Sequence, residues 1–502
     1  MLRERIKTIF SFPVVLASLL VWWLSGVVKP GLGDPDLWWH MENARFLFSH
    51  HHLPRFDAFS YTTMGHPWMD HEWLAEVPYY LAWHAFGPVG VYVTLIVILE
   101  GILLGVFYLA SKGSGNVKGA WLVSCFCVLL AAVSFGPRTL LFGYVYLLII
   151  LLVLQQFRAK GQAPLWMIPI AFCLWINSHG SWLIGMTVFG IIIASGLVQG
   201  NWGRVEAVRW SPRQLRQLLV TLGASVAALF VNPFGYHLVF YPFDMAFKQK
   251  LTVNNIEEWA SVDFHDGRGK VVLILLVALL VGALLSRHRW ELGQLGLAVL
   301  AVYSGLTYVR FLFLAAILLA PLLAKFLDFL PPYRPEIDKH WLNAAILAGM
   351  LLVIVARFPS RAALENTVAE RFPVAAMAYI KTHGLPGRTF NHYMWGGYVA
   401  WKEPELKTFI DSRSDIYERS GVLADYLDAI RMKDSLKILD KYQIQSVLFP
   451  PKEALSYLLE HNSNWKVVYN DNVTEIFERV GPMPAEASPV AATHQTSGPK
   501  AY

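Results

Sequence analysis

Ser11-Phe12-Pro13-Val14-Val15-Leu16-Ala17-Ser18-Leu19-Leu20-Val21-Trp22-Trp23-Leu24-Ser25-Gly26-Val27-Val28 carries no charge, and the chain then runs into Gly33-Asp34-Pro35-Asp36-Leu37-Trp38-Trp39-His40. The uncharged run has about the length needed to cross the hydrocarbon core of a bilayer. Two carboxylates held one proline apart, where the chain leaves that span, place ionisable chemistry at the membrane surface.

The rest of the sequence repeats the first pattern. Of 502 residues, 55% are hydrophobic and only 16% charged, and mean hydropathy is +0.42; a soluble chain carries about a quarter charged residues. Apolar stretches recur at 11–28, 89–110, 119–135, 139–157, 165–176, 183–198, 217–231, 270–286, 292–307, 311–329 and 341–357. They predict an α-helical polytopic membrane protein of about 11 transmembrane helices over residues 1–357. The basic start Met1-Leu2-Arg3-Glu4-Arg5-Ile6-Lys7 precedes a long apolar run with no small-x-small cleavage site, so the run reads as a retained first helix.

Basic residues fall in alternate connections: Arg3, Arg5 and Lys7; Lys112 and Lys118; Arg158 and Lys160; Arg204, Arg209, Arg213 and Arg216; Arg287 and Arg289; Arg334 and Lys339. The positive-inside rule puts these connections in the cytoplasm. The N-terminus is then inside, and residues 29–88, 232–269 and everything after about 358 lie outside a bacterial inner membrane. This distribution accounts for the net charge of +6 without a nucleic-acid partner. Cys125, Cys127 and Cys173 all sit in apolar stretches and read as small buried hydrophobes.

Residues 358–480 change character. Short runs such as Thr408-Phe409-Ile410 and Ser446-Val447-Leu448-Phe449 read as strands, and 373–382, 421–440 and 451–461 read as helices. The alternation predicts a small extracytoplasmic α/β domain. Residues 481–502, rich in Pro, Ala, Ser and Thr, predict a disordered tail.

The first outer loop concentrates polar groups: Asp34, Asp36, His40, Arg45, His50-His51-His52, Arg55, Asp57, then Gly65-His66-Pro67-Trp68-Met69-Asp70-His71-Glu72-Trp73. Residues 37–48 and 73–86 pattern as two amphipathic helices, the first with Leu37, Trp38, Met41, Phe46 and Leu47 available to lie on the bilayer. Asp36 serves either chemistry or as the cap of the helix starting at Leu37, which leaves Asp34 without a structural task. Three adjacent histidines converge poorly on one ion and read as a solvated loop. Asp70-His71-Glu72 is either an oriented acid–base group or a hydrogen-bond network pinning the two helices.

Short turns on the same side add Arg138, then Asn177, His179 and Ser181, then Glu257, Glu258 and Trp259, and finally Arg310. A cation in so short a turn stays at the bilayer face, where it either meets an anionic headgroup or forms an ion pair. Glu100 stands near the middle of the second apolar stretch, as a functional carboxylate or a buried hydrogen-bonding group.

The acidic loop directly after the first helix, two juxtamembrane helices, many spans and a C-terminal outer domain resemble the GT-C integral-membrane glycosyltransferases. That group includes protein mannosyltransferases, the lipid A aminoarabinose transferase and Rgt-like sugar transferases. The runs 34–40, 67–74 and 391–398 are similar to segments of bacterial membrane proteins of this kind. The resemblance implies a polyprenyl-phosphate sugar donor, an extracytoplasmic acceptor that is a lipid, glycan or protein, and contact with membrane lipids. It carries the acidic pair onto Asp34 and Asp36, with Asp34 the expected general base. Arg310, placed by position, is the expected holder of the departing phosphate, with Arg138 and His179 behind it. A single base implies one displacement with inversion.

No cofactor is required, and a divalent metal, though conceivable, is not predicted. His40, Asp70, His71, Glu72 and Glu258 are expected to support the site. In the C-terminal segment, Asn391, Tyr393, Trp395, Gly396-Gly397, Tyr398, Asp411 and Arg413 either bind a sugar or pack the domain, with Asp411–Arg413 as a structural pair. A non-catalytic scaffold or a lipid-linked-glycan transporter is the alternative. A transporter should line its membrane interior with polar groups, whereas here they gather outside the spans.

Overall fold

The computed structural model describes residues 2–29 and 31–483, so the expected tail lies, but for its first three residues, outside the described residues. The chain is mostly helical, and each apolar stretch read from the sequence coincides with a helix. Among the described residues, five helices, including Pro88–Ser114, Leu140–Lys160 and Val309–Phe326, are long and apolar enough to cross a membrane, or six if the bent pair His340–Ala356 and Arg361–Ala369 forms one span. This is a multi-pass membrane protein.

Other apolar helices are shorter. Met167–Ile176 has 10 residues and Trp182–Ser195 has 14. At about 1.5 Å rise per residue, the first reaches only halfway through a core of about 30 Å. Between these two lie Asn177, Ser178, His179 and Ser181, so the break draws polar residues into the end of the bundle.

The connections sort onto two ends. At one, the segments around residues 34–40, 70–79, 136–139, 177–181, 257–259 and 308–311 meet. At the other gather the connections rich in Lys and Arg. There Gly200–Trp202 and Val205–Ala207 form a hairpin that Trp290–Glu291 joins in parallel, Asn116 Nδ2 donates to Leu330 O at 2.8 Å and Arg204 Nη1 to Ala283 O at 2.8 Å.

The C-terminal segment builds a mixed four-stranded sheet in the order Arg388–Asn391, Ile444–Phe449, Glu475–Arg479, Trp465–Asn470. The first pair is parallel and the others antiparallel. Helices Val374–His383, Val422–Ile430, Ser435–Lys441 and Ala454–Glu460 accompany it. Positive φ at Met432 (63°) and Asp434 (57°) breaks the single helix expected over 421–440. Thr408-Phe409-Ile410 is buried but is no sheet strand. Thr408 makes only an isolated bridge to Ser60, and Phe409 N–H bonds the Asn391 side chain at 2.7 Å.

The first loop and the C-terminal segment share a core. Leu37, Trp38 and Met41 of helix Asp36–His50 are fully buried, and the Trp38 ring meets Tyr398 at 4.8 Å and Phe372 at 5.4 Å. That face was expected to lie on the bilayer; protein aromatics cover it instead. Gly397 makes the approach possible, because a Cβ there would sit 3.0 Å from Trp39 N and 3.2 Å from Pro35 O. The C-terminal segment is thereby locked against the Asp34-Pro35-Asp36 turn.

Candidate active site

Asp34 and Asp36 divide their tasks in the reverse of one sequence reading. The helix begins at Asp36 itself, with no side chain capping it from Pro35. Asp34 Oδ1 instead accepts the Asp36 backbone N–H at 3.0 Å, and its Oδ2 accepts Arg138 Nε at 2.6 Å. Gly136 leaves room for this, since a Cβ there would lie 3.0 Å from that oxygen. Asp36 does not cap the helix. It accepts the Trp39 indole N–H at 3.1 Å, has the Ser412 hydroxyl beside it, and keeps partial exposure. Burial, with the Asp34 charge beside it, pushes the Asp36 carboxyl up to about 7.

Arg138 bridges two carboxylates, Asp34 and Glu258. Burial alone would favour its neutral form, but the two anions outweigh this and hold the guanidinium firmly charged. Arg310 differs. No carboxylate pairs with it among the described residues; its guanidinium lies 4.4 Å over the Trp259 ring, and its buried Nε has no hydrogen-bond partner. Glu258 and Trp259 are neighbours in the single turn Glu257–Trp259. One short turn therefore covers both arginines, presenting a carboxylate to the first and an aromatic face to the second. Tyr144 ties the arrangement together, donating its hydroxyl to Arg310 O at 3.3 Å.

A buried acid–base network adjoins this pair. Glu72 lies 3.2 Å from His179 Nε2, 3.4 Å from His40 Nε2 and 3.5 Å from His71 Nε2. Burial opposes its charge, but the surrounding imidazoles overcome that and keep its carboxyl well below the usual range. Burial lowers His40 and His179 to about 4, so both are neutral at physiological pH. His179 Nδ1 accepts the Ser181 N–H at 3.0 Å, which puts its proton on Nε2, facing Glu72. Nδ1 is thus engaged and Nε2 lies beside a carboxylate, a poor setting for the lipid phosphate that His179 was expected to help hold. For His71, burial is outweighed by Glu72, Asp415 and Asp70, and its pKa rises.

Glu76, which the sequence reading did not single out, belongs here. It sits 2.7 Å from His40 Nδ1, and burial together with Asp70 raises its pKa well above normal. Burial raises Asp70 as well, to about 6. The signal for Glu76 was its position four residues after Glu72, on one helix face. Among the described residues, no three His, Cys, Asp or Glu side chains are arranged to hold a metal ion.

Trp395 and Arg413 lie elsewhere. Trp395 is buried and donates its indole N–H to Arg371 O at 2.9 Å. Arg413 Nη2 is fixed between Asp57 Oδ1 at 2.8 Å and Asp411 Oδ2 at 2.6 Å. Both side chains pack the C-terminal segment onto the first loop. The histidines 50–52 are exposed, as a solvated loop should be.

No family model matches the sequence, nor does any curated protein sequence. Solved structures do match in fold. The Archaeoglobus fulgidus oligosaccharyltransferase tethered to an acceptor peptide aligns at a TM-score of 0.51 and 13% identity, over 87% of this chain and 68% of that one. The same organism's oligosaccharyltransferase AglB, in complex with an inhibitory peptide and a dolichol-phosphate, gives 0.51 and 11% over 87% and 69%. ArnT from Cupriavidus metallidurans in the apo state gives 0.50 and 14% over 91% and 96%. These neighbours are GT-C glycosyltransferases, and the chain has their fold.

Proposed function

We propose that the protein is a membrane glycosyltransferase that moves a sugar from a polyprenyl-phosphate donor to an extracytoplasmic acceptor by inverting displacement. The observation that carries this reading is Arg310, a cation without a carboxylate partner among the described residues, under the same turn that covers Arg138 of the acidic-pair cluster, at one end of an apolar bundle. An unmatched guanidinium there suits a lipid phosphate. The AglB neighbour, solved with a dolichol-phosphate, is consistent with such a ligand.

In the proposed reaction the acceptor hydroxyl attacks the anomeric carbon and gives its proton to the Asp36 carboxylate. The bond from that carbon to the phosphate oxygen breaks, and its electron pair leaves with the phosphate. A base works best with a pKa near the operating pH, which favours Asp36 over Asp34. Asp34 instead orients Arg138. Arg310 stabilises the charge developing on the leaving oxygen, and a monophosphate held in this way needs neither cofactor nor metal.

We further place about eleven crossings in a bacterial inner membrane, the N-terminus in the cytoplasm and residues 358–480 outside as an α/β domain. Two features support that orientation: the basic connections collect at one end of the bundle, and the acidic pair lies at the other. Reporter fusions should find residue 400 translocated and residue 205 cytoplasmic; both on one side would overturn the orientation.

Transfer of label from defined polyprenyl-phosphate sugars in reconstituted membranes tests the activity. Arg310→Ala should abolish donor binding, while Arg310→Lys should keep the charge, lose the bidentate geometry and lose most turnover. Normal donor affinity in both variants would reduce Arg310 to an interfacial anchor.

A further inference from the structure

The end of the bundle opposite the acidic pair holds a cavity of about 470 Å³ between the ends of five helices. Its mouth carries Lys112, Arg158 and Lys325, and its depth is apolar, lined by Leu109, Leu151 and Ile317 among others. We infer that this cavity binds the net-anionic phosphate headgroup of a membrane amphiphile, with part of its hydrocarbon chain inserted among the helices.

Charge is the first argument. Lys325 is 16% exposed, yet among the described residues its ammonium makes no hydrogen bond, and its one anionic neighbour is Glu291 at 3.9 Å. Arg158 reaches the same Glu291 at 3.8 Å, beyond hydrogen-bond range. Two cations share one carboxylate, which also caps the helix that starts at Leu292 and accepts from Gln294 at 3.3 Å, and Lys112 adds a third cation. The other acid lining the cavity, Glu206, faces Arg289 at 3.9 Å.

Shape is the second argument. Arg158 is held in place by Val208 O at 2.9 Å and by the Trp210 ring at 4.2 Å, so its guanidinium is preorganised. All three cations occupy the last turns of their helices, where they also complement the helix dipoles. That role explains a cation at each helix end; it does not require a cavity with an apolar interior between them. A polar mouth over an apolar depth matches an amphiphile, and basic clefts between helices commonly take anionic lipid heads.

The test uses the full-length protein in phosphatidylcholine nanodiscs, with bound lipid read by native mass spectrometry. Dioleoylphosphatidylglycerol should be retained over phosphatidylcholine by about tenfold or more, the worth of one charge-assisted hydrogen bond. Lys325→Gln should bring the two lipids near parity, and Lys325→Arg should restore the preference. Lys112→Gln, at an exposed position, covers the case in which the buried lysine is needed for folding, and should weaken retention in the same sense.

Decaprenyl phosphate is run in parallel; retention dependent on Lys325 supports the inference for either lipid, and the tighter of the two identifies the source. Equal retention of phosphatidylglycerol and phosphatidylcholine would overturn it. So would lipid retention unchanged in both lysine variants, or inorganic phosphate alone competing as well as either lipid.

Discussion

Two arginine–carboxylate groups tie the first loop to the rest of the molecule, and they are built to opposite ends. In the first, Asp57, Asp411 and Arg413 are sealed from solvent. Asp57 accepts from Phe59 N, Ser60 N, Ser60 Oγ, Thr63 Oγ1 and Arg413, so its lone pairs are fully used. In the second, Arg138 lies between Asp34 and Glu258, while Asp36 beside it accepts one indole N–H and stays partly open. Arg310, under the same turn, has no carboxylate partner among the described residues. Matched and buried charge holds a fold together; charge left unmatched within reach of solvent can act on a substrate.

The strongest test of that contrast is Asp36→Asn. Removing the base should cut transfer by about two to four orders of magnitude. Thermal stability should hold or rise. A carboxyl raised from 3.8 to about 7 binds its proton more tightly in the folded state, so ionising it works against folding as pH climbs through that window. Asp34→Asn should also lower transfer, through misplacement of Arg138. Normal transfer by Asp36→Asn alongside loss in Asp34→Asn would return the base to Asp34.

Arg413→Ala attacks the other group. It strands two buried carboxylates, and the expected cost is about 3–5 kcal/mol of stability. Burial would raise Asp57, but Arg413 and the hydroxyl donors outweigh it and depress its pKa. Its contribution is therefore fully present above the ordinary carboxylate pKa and lost as pH falls through the depressed value. Melting of the wild type should respond to this pair only under acid conditions. An Arg413→Ala variant as stable as wild type, but defective in acceptor affinity, would move Arg413 from packing to substrate recognition.

The pH dependence of transfer sharpens the comparison further. With Asp36 near 7 as the base, the rate should rise with pH through about 7 and fall about tenfold per unit below it. The Asp57 group, ionised throughout that range, contributes nothing to this limb. A rate flat from pH 5 to 8 would exclude Asp36 as the titrating base.

The limits of the sequence reading follow the same division. Apolar stretches announce helices because burial in lipid needs a continuous run, and all eleven such stretches are helical. The acidic pair stood out because carboxylates beside a span are rare. The links between segments were invisible: Asp57 and Arg413 are 356 positions apart, and Glu72 meets His179 across helices whose pairing no local pattern encodes. Amphipathic spacing in residues 37–48 gave the helix correctly but not its neighbour, because an apolar face looks alike whether lipid or aromatic side chains cover it. Asp36 looked like a cap because Asp often caps; with Asp34 two residues earlier taking the turn's backbone N–H, its carboxylate is released for another role.

The smallest expected effect concerns the turn that covers both arginines. Glu258 is about one-third exposed, and an ion pair at that exposure is worth about 0.2–1 kcal/mol. If its carboxylate occupies Arg138 in the absence of donor, a lipid phosphate must displace it. Glu258→Gln then removes the competitor, and donor affinity should rise by up to about fivefold, the equivalent of that energy. Trp259→Ala should act in the same direction through Arg310, whose guanidinium it uncovers, less the loss of the cation–π contact in the free protein. Both changes should be read as donor dissociation constants, because turnover also reports on Asp36. A weaker donor complex in Glu258→Gln would mean that the carboxylate orients Arg138 toward the phosphate instead of competing with it. Arg138 would then resemble Arg413, fixed by two acids, and Arg310 alone would remain as the open cation of the site.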